Sequence, residues 1–207
     1  MTSSGKNKSG DAGALNGYEV VVAVCGGIAA YKTAGLVSAL VQRGAGVTVV
    51  MTDAARKFIT PLTFQSLTAR QVFTSAWDAE NYHDPQHLRL TESADLFIIA
   101  PATANIIGKI ACGIADDLVS TMVMSTDCPV LIAPAMNTRM WQNPIVERNM
   151  KTLREMNYFE AAPGEGWLAC RTVGAGRMAE PAEIMEQAGR LLLLKAPRRA
   201  AHPPISS

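Results

Sequence analysis

Two glycines and a threonine stand where predicted β-strands end. Gly26 and Gly27 follow an apolar run that begins at Tyr18, and Thr52 follows a second apolar run. Because glycine has no Cβ, backbone N–H groups at such a turn can approach an anion, typically a phosphate at a helix N-terminus. The full GxGxxG and GxxxxGK[ST] spacings are absent from the sequence. Two interpretations therefore stay open: a mononucleotide phosphate site, or a tight turn packed against its helix.

A third strand end adds polar side chains to this set. Thr103 and Asn105 follow the Ala-Pro-Ala sequence that closes another apolar run, and Pro101 fixes the chain direction there. Taken singly, such residues cap helices more often than they bind ligands. At adjacent strand ends, however, Thr52, Thr103 and Asn105 together have the character of a site for a planar heterocycle or a phosphate.

His87 and Cys170 are the candidates for acid–base chemistry. His83 and His87 are separated by a proline that breaks a shared helical face, and the sequence holds no HExxH motif or Cys/His quartet, so no metal site is predicted. Either histidine could act as an acid or a base. Cys170 lies in a Gly-rich stretch near two arginines, where a lid could present a thiolate or proton donor. An inert loop cysteine is the competing interpretation.

The composition favours one globular domain and excludes several other classes. Of 207 residues, 48% are apolar and 18% are charged, which suffices for a sizeable core. The formal net charge is +1, but residues 18–194 hold 14 basic and 17 acidic residues, so nucleic-acid binding is not expected. Four cysteines without a CxxC pair, no signal-peptide pattern and no membrane-length apolar run predict a cytoplasmic protein.

Apolar runs alternate with helical patterns along the chain. We predict a single-domain α/β fold, a doubly wound and mostly parallel Rossmann/flavodoxin-like sheet with helices on both faces, over residues 18–194. Residues 1–17 are predicted to form a disordered N-terminal tail, and residues 195–207 a flexible C-terminal tail. Residues 164–181 are predicted to be irregular. The main elements expected are strands within 18–27, 47–52, 94–103 and 128–136, and helices at 28–44, 104–124, 144–156 and 181–194.

Six motifs in order resemble those of one enzyme family. They are GGIAAYK (26–32), the segment from His87 to Asp95, APATAN (100–105), GKIACGIADDLVST (108–121), APAMNTRMW (133–141) and GAGRMAEP (174–181). Together they closely resemble the phosphopantothenoylcysteine (PPC) decarboxylases, flavin-containing cysteine decarboxylases of coenzyme A biosynthesis. The resemblance covers about residues 20–185.

The resemblance implies FMN-dependent decarboxylation of 4'-phosphopantothenoylcysteine to 4'-phosphopantetheine. In this family the substrate thiol is oxidised to a thioaldehyde, carbon dioxide leaves, and the enethiol product is reduced again. The cofactor does the difficult chemistry while the protein orients and protonates. The resemblance also implies a homotrimer, or a dodecamer built from trimers, with FMN near the subunit interface.

The matching positions imply a set of site residues. His87 and Cys170 correspond to the family's catalytic histidine and its proton-donating lid cysteine. Asn137, Met136 and Ala175 correspond to substrate-binding positions. The implied FMN-binding residues are Gly26, Gly27, Ile28, Ala29, Thr52, Pro101, Ala102, Thr103, Ala104, Asn105 and Ala135.

The chain departs from the family pattern at two places, and other functions remain open. Arg171 and Thr172 replace the Gly-Asp that usually follows the lid cysteine, which removes the easy positive φ of glycine. Glu92 and Ser93 stand where relatives often carry a basic residue and an aromatic one. The alternatives are a peptidyl-cysteine oxidative decarboxylase, a flavin prenyltransferase, and a non-catalytic flavoprotein that regulates a partner protein.

Overall fold

A computed structural model describes residues 13–75, 86–167, 169 and 171–198 of the chain. Within that part, no helix is long and apolar enough to cross a membrane. A 3₁₀ turn spans Ala55–Lys57. The helices and strands are β1 (Glu19–Val24), α1 (Ala30–Gln42), β2 (Gly46–Met51), α2 (Pro61–Thr68), β3 (Val72–Phe73), α3 (Gln86–Ser93), β4 (Leu96–Ala102), α4 (Ala104–Ala111), α5 (Leu118–Ser125), β5 (Val130–Pro134), α6 (Thr138–Trp141), α7 (Pro144–Glu155), β6 (Phe159–Glu160), β7 (Gly164–Trp167), β8 (Val173–Arg177) and α8 (Pro181–Leu192).

Six strands of the described chain form one parallel sheet in the order β3-β2-β1-β4-β5-β6. The chain starts in the middle of the sheet, moves out to one edge, and returns to build the other half from β4. Ligands bind in such sheets at the carboxyl ends of the strands, near this reversal. The predicted fold class is confirmed. The sequence did not indicate β3 and β6, because two residues each are too few for a hydrophobic pattern.

Alternate residues of β1 face two separate cores. Val20, Val22 and Val24 pack in the cluster that includes α1 and α8. Val21 and Ala23 pack in the cluster that includes α4, α5 and α7. Burial on both faces is the reason that the strands are continuous apolar runs instead of alternating ones. Helices therefore cover both faces of the sheet, as expected.

The prediction of one helix over 104–124 is wrong. The helix α4 ends at Ala111, and Gly113 then adopts a left-handed φ of +69°. A second helix, α5, starts after Asp117, whose side chain accepts the Ser120 N–H at 2.8 Å while the Ser120 hydroxyl accepts the Asp117 N–H at 3.1 Å. This reciprocal capping box fixes a new helix start. The interruption brings the acidic pair before α5 back toward α4.

The Gly-rich segment predicted to be irregular contains an antiparallel hairpin, β7–β8. The loop after β5 holds this hairpin in place: the Met136 N–H donates to the Gly176 carbonyl at 2.9 Å, and the Thr138 hydroxyl donates to the Ala175 carbonyl at 2.9 Å. Gly176 has a φ of +112°, and a Cβ there would collide with the Met136 carbonyl oxygen. The glycines thus permit a close backbone approach.

The packed body extends past both predicted domain boundaries. Leu15 is buried, and its N–H donates to the Arg43 carbonyl at 2.8 Å. At the other end, the Tyr18 hydroxyl donates to the Lys195 carbonyl at 2.8 Å, and the Arg198 N–H donates to Asp95 at 2.7 Å. The predicted tails therefore each include residues that are packed against the domain.

Candidate active site

Two cavities adjoin at the carboxyl edge of the sheet. The larger cavity, about 630 Å³, lies among the loops after β1, β2, β4 and β5 and reaches Lys109 and Asp117. The smaller cavity, about 460 Å³, lies between the start of α1, the loop after β5 and the hairpin. Gly27, Ala135 and Met136 line both cavities. The two cavities are therefore adjacent at these three residues.

The structure brings most of the predicted site residues to these cavities. The larger one is lined by Gly26, Gly27, Thr52, Thr103, Ala104, Asn105, Ala135 and Met136. Ile28, Ala29 and Asn137 instead line the smaller one. Among the predicted site residues whose side chains the structure describes, three line neither cavity: Pro101 and Ala102, which are buried at the end of β4, and Ala175 in β8. Which ligand each of the predicted site residues binds remains a prediction.

The two glycines after β1 have different roles. A Cβ on Gly26 would lie 2.8 Å from the carbonyl carbon of Ala54, so this glycine lets the first two strand-end loops pack together. A Cβ on Gly27 would meet nothing closer than 3.9 Å, and Gly27 lines both cavities. Gly26 therefore serves the tight turn while also lining the larger cavity, and Gly27 has open space beside both cavities.

Several polar side chains at the edge cap the turns that follow them. The Thr52 hydroxyl accepts the Ala55 N–H at 3.2 Å, and the Thr103 hydroxyl accepts the Ile106 N–H at 3.4 Å. The Asn137 carbonyl oxygen accepts the Met140 N–H at 2.9 Å. Capping uses an acceptor of each side chain and leaves its hydroxyl or amide hydrogens available. It also orients these donors before a ligand arrives.

Sequence reasoning did not identify the ion-pair cluster at the end of the larger cavity. Lys109 Nζ lies 2.6 Å from Asp116 Oδ1 and 2.6 Å from Asp117 Oδ2, and these hydrogen bonds raise the pKa of Lys109. Burial opposes ionisation of Asp117, but hydrogen bonds from Lys109 and Ser120 together lower its pKa. Both groups are therefore charged at neutral pH. The signal in the sequence was a lysine eight residues before the aspartate, with the helix break between them.

Cys25 is a buried thiol at the wall of the larger cavity. Its burial, together with the negative charge of Asp117, raises its pKa to about 12. The thiol is therefore protonated at neutral pH and is a poor nucleophile. Cys25 is therefore a packing residue of this fold.

Of the two predicted catalytic residues, the structure describes only the backbone of His87. His87 lies in the first turn of α3, and its side chain is outside the described residues, as are His83 and Cys170. Arg171 has a φ of +63°, so it adopts the left-handed conformation that the loss of glycine was expected to disfavour. Within the described part of the chain, no group of three or more His, Cys, Asp or Glu residues could hold a metal ion.

The smaller cavity contains side chains that sequence reasoning did not assign to a site. Trp167, Lys32 and Arg177 line it together with Asn137. Lys32 is the last residue of the GGIAAYK motif, and Arg177 belongs to GAGRMAEP, so both motifs already held the signal. The ammonium of Lys32 and the guanidinium of Arg177 add positive charges that can bind an anion at this edge of the sheet.

Comparison with known proteins identifies the family of this chain. The Flavoprotein family model matches residues 9–192. The coenzyme A biosynthesis bifunctional protein CoaBC of Bacillus subtilis (strain 168) is 47% identical over 174 residues, which are 84% of this chain and 43% of that protein. The chain thus spans less than half the length of this curated relative.

Two solved structures match nearly their whole length. A PPC decarboxylase cysteine-to-serine mutant complexed with pantothenoylaminoethenethiol is 33% identical, with a TM-score of 0.75 over 86% of this chain and 99% of that one. The FMN-dependent cysteine decarboxylase SpaF is 29% identical, with a TM-score of 0.73 over 86% of this chain and 96% of that one. The chain belongs to the Flavoprotein family, in the group that includes the PPC decarboxylases.

Proposed function

We propose that this protein decarboxylates 4'-phosphopantothenoylcysteine to 4'-phosphopantetheine, with FMN bound in the larger cavity. The observation that carries the proposal is the wall of Gly27, Ala135 and Met136 shared by two cavities. Because the two cavities meet at these residues, a planar cofactor in the larger cavity would lie next to a substrate in the smaller one. The similarity to a PPC decarboxylase over the length of that protein supports the substrate class.

The residues of the larger cavity suit FMN. Its volume of about 630 Å³ is within the range of cofactor sites. Gly27 leaves open space at the start of α1, and Thr52 and Thr103 offer hydroxyl hydrogens after capping their turns. We assign the cofactor to these residues and to Asn105. When bound, the flavin supplies the electron acceptor for oxidation of the substrate thiol and returns the electrons after decarboxylation.

We assign the substrate to the smaller cavity. Asn137 would bind the substrate carboxylate through its amide hydrogens, since its oxygen already caps α6. That cap fixes the rotamer, so the amide is oriented before binding. His87 would assist removal of the thiol proton, and Cys170 would return a proton to the product.

Turnover is the direct test. Purified protein should carry a flavin visible by its absorbance, and it should release carbon dioxide from phosphopantothenoylcysteine. Cys170→Ser should still consume substrate but accumulate an oxidised, decarboxylated intermediate. His87→Asn should bind FMN and fail to decarboxylate. If Cys170→Ser forms normal product at the parent rate, the proton-donor assignment is wrong.

A peptidyl-cysteine decarboxylase is the second candidate, because SpaF is an FMN-dependent cysteine decarboxylase with a similar fold. Assaying a peptide that ends in cysteine beside phosphopantothenoylcysteine distinguishes the two functions. A flavoprotein that regulates a partner would bind FMN and turn over neither substrate.

We further propose a homotrimer, or a dodecamer of trimers, in the cytoplasm. The described cysteines Cys25, Cys112 and Cys128 are free thiols, which suits a reducing compartment. The resemblance to homo-oligomeric cysteine decarboxylases supports the assembly, with FMN near the subunit interface. Light scattering at native concentration tests it.

A further inference from the structure

We propose that Lys32 and Arg177 form a binding site for the phosphate ester of the substrate, and that this site selects phosphorylated over non-phosphorylated cysteine conjugates. The inference rests on the proposed function and names the substrate feature that the smaller cavity recognises. Neither residue belongs to the predicted set of site residues.

The two charged side chains that line the described part of the smaller cavity are both basic. Lys32 Nζ lies 2.9 Å from Glu180 Oε1, and Arg177 Nη2 lies 2.8 Å from the same oxygen. The local net charge of this triad is therefore +1. A phosphate monoester carries about −1.5 to −2 at pH 7, so the triad is complementary to it in sign.

The shared carboxylate positions the two cations without using up their hydrogen-bonding capacity. A lysine ammonium has three donors and an arginine guanidinium has five, and this contact uses one from each group. The hydrogen bond to Lys32 and the charges of Lys32 and Arg177 lower the pKa of Glu180, which stays ionised at neutral pH. A phosphate can thus bind Lys32 and Arg177 while Glu180 remains in place.

The two cations differ in exposure, since the Arg177 side chain is 41% exposed whereas Lys32 is shielded from water. The Lys32 side chain is only 9% exposed, so its charge is less screened than that of a surface lysine. Trp167, Ile28 and Met136 are apolar residues that line the same cavity as the two cations and Asn137. The arrangement suits a ligand with an anion at each end and an uncharged middle, as phosphopantothenoylcysteine has.

The test compares phosphopantothenoylcysteine with pantothenoylcysteine on the FMN-loaded enzyme. Arg177→Gln should lower kcat/KM for the phosphorylated substrate by about 10- to 100-fold, as expected for loss of a charged hydrogen bond. It should change kcat/KM for the non-phosphorylated substrate little. Arg177→Lys, which keeps the charge, should recover part of the loss. The matched control is Arg190→Gln, which removes the same charge from an exposed ion pair with Glu186.

Lys32→Met, with Lys151→Met as its control, tests the second cation in the same way. Equal losses on both substrates would overturn the proposal, because they would indicate a structural role. Loss of bound FMN with unchanged substrate preference would also overturn it, since the phosphate would then belong to the flavin.

A binding experiment separates this proposal from the proposed function. If the parent protein turns over neither substrate, the proposed function is wrong, and calorimetry with 4'-phosphopantetheine and pantetheine still tests the site. A preference for the phosphorylated ligand in the parent that disappears in Arg177→Gln supports the site. Equal binding of the two ligands by the parent overturns it.

Discussion

At the residue scale, the candidate site consists of caps and ion pairs whose spare hydrogen-bonding groups face two cavities. Thr52, Thr103 and Asn137 each complete a turn with an oxygen that sequence reasoning treated as a potential ligand contact. The two roles are compatible, because a capped side chain is held in one orientation and its hydrogens remain free. Preorganisation of this kind lowers the entropy that ligand binding must lose.

Gly26→Ala tests the packing role of the first glycine. A Cβ there would lie 2.8 Å from the Ala54 carbonyl carbon, which is backbone and cannot rotate away. We expect a loss of about 1–3 kcal/mol in unfolding free energy, as for other overpacked sites, together with weaker FMN retention. Denaturant unfolding and flavin absorbance measure the two effects. The control is Gly189→Ala in α8, where a Cβ meets nothing within 4 Å, so equal or higher stability is expected. An unchanged Gly26→Ala protein would contradict the assignment.

Cys25 gives a prediction on reactivity and pH. Burial raises its pKa to about 12 from 9.0, so alkylation at pH 8 should label Cys25 only after the protein is unfolded. Between pH 9 and 12 the Cys25 thiol stays protonated in the folded protein but loses its proton in the unfolded chain. The contribution of Cys25 to the free energy of unfolding is therefore complete below pH 9 and falls as the pH rises toward 12. Peptide mass spectrometry of native and denatured samples measures the labelling. Rapid labelling of Cys25 in the native protein would refute the prediction.

At the element scale, the hairpin β7–β8 determines whether the smaller cavity exists. It has no pairing with the main sheet in the described chain, and the loop after β5 positions it through Met136 and Thr138. Since Trp167 and Arg177 lie on the hairpin and Asn137 lies on the loop, this contact sets the distance between the two sides of the cavity.

Thr138→Val tests this coupling. The substitution keeps the shape and removes the hydrogen bond to the Ala175 carbonyl, which is worth about 0.5–1.5 kcal/mol. We expect a higher KM for the cysteine substrate, with FMN content unchanged, because the larger cavity does not use the hairpin. Steady-state kinetics and flavin absorbance give the two readouts. Thr152→Val on the exposed face of α7, where the hydroxyl donates to the Arg148 carbonyl at 3.1 Å, is the control. A KM that is the same in both variants would argue against the coupling.

At the scale of the whole molecule, the charge that matters is local. Residues 18–194 carry a formal charge of −3, yet the smaller cavity has Lys32 and Arg177 on its wall. Two cations in a partly enclosed cavity can outweigh a weak overall field, because contributions from distant exposed charges are screened beyond about 10 Å.

The proposed assembly predicts a native mass of at least three times the 22.1 kDa of one chain. Tyr31 on α1 is 63% exposed and Leu62 on α2 is 67% exposed, and self-association would bury such surface. Multi-angle light scattering measures the mass. Tyr31→Ser should shift the protein to smaller species if this surface is used, whereas a parent protein that elutes as a monomer would exclude the trimer.

The sequence by itself determined the doubly wound sheet and the edge of the sheet at which the candidate site lies. Runs such as VVVAV in β1 and LFIIA in β4 are apolar throughout because both faces are buried, and this pattern is local and can be read directly. The tertiary structure decided the rest. The docking of the Gly-rich hairpin on the loop after β5, the Lys109 cluster and the ion pair of Lys32 with Glu180 join residues that are distant in the chain or separated by a helix break. These contacts depend on how helices and loops pack against each other. A local pattern of residue types does not show which distant residues will be brought together.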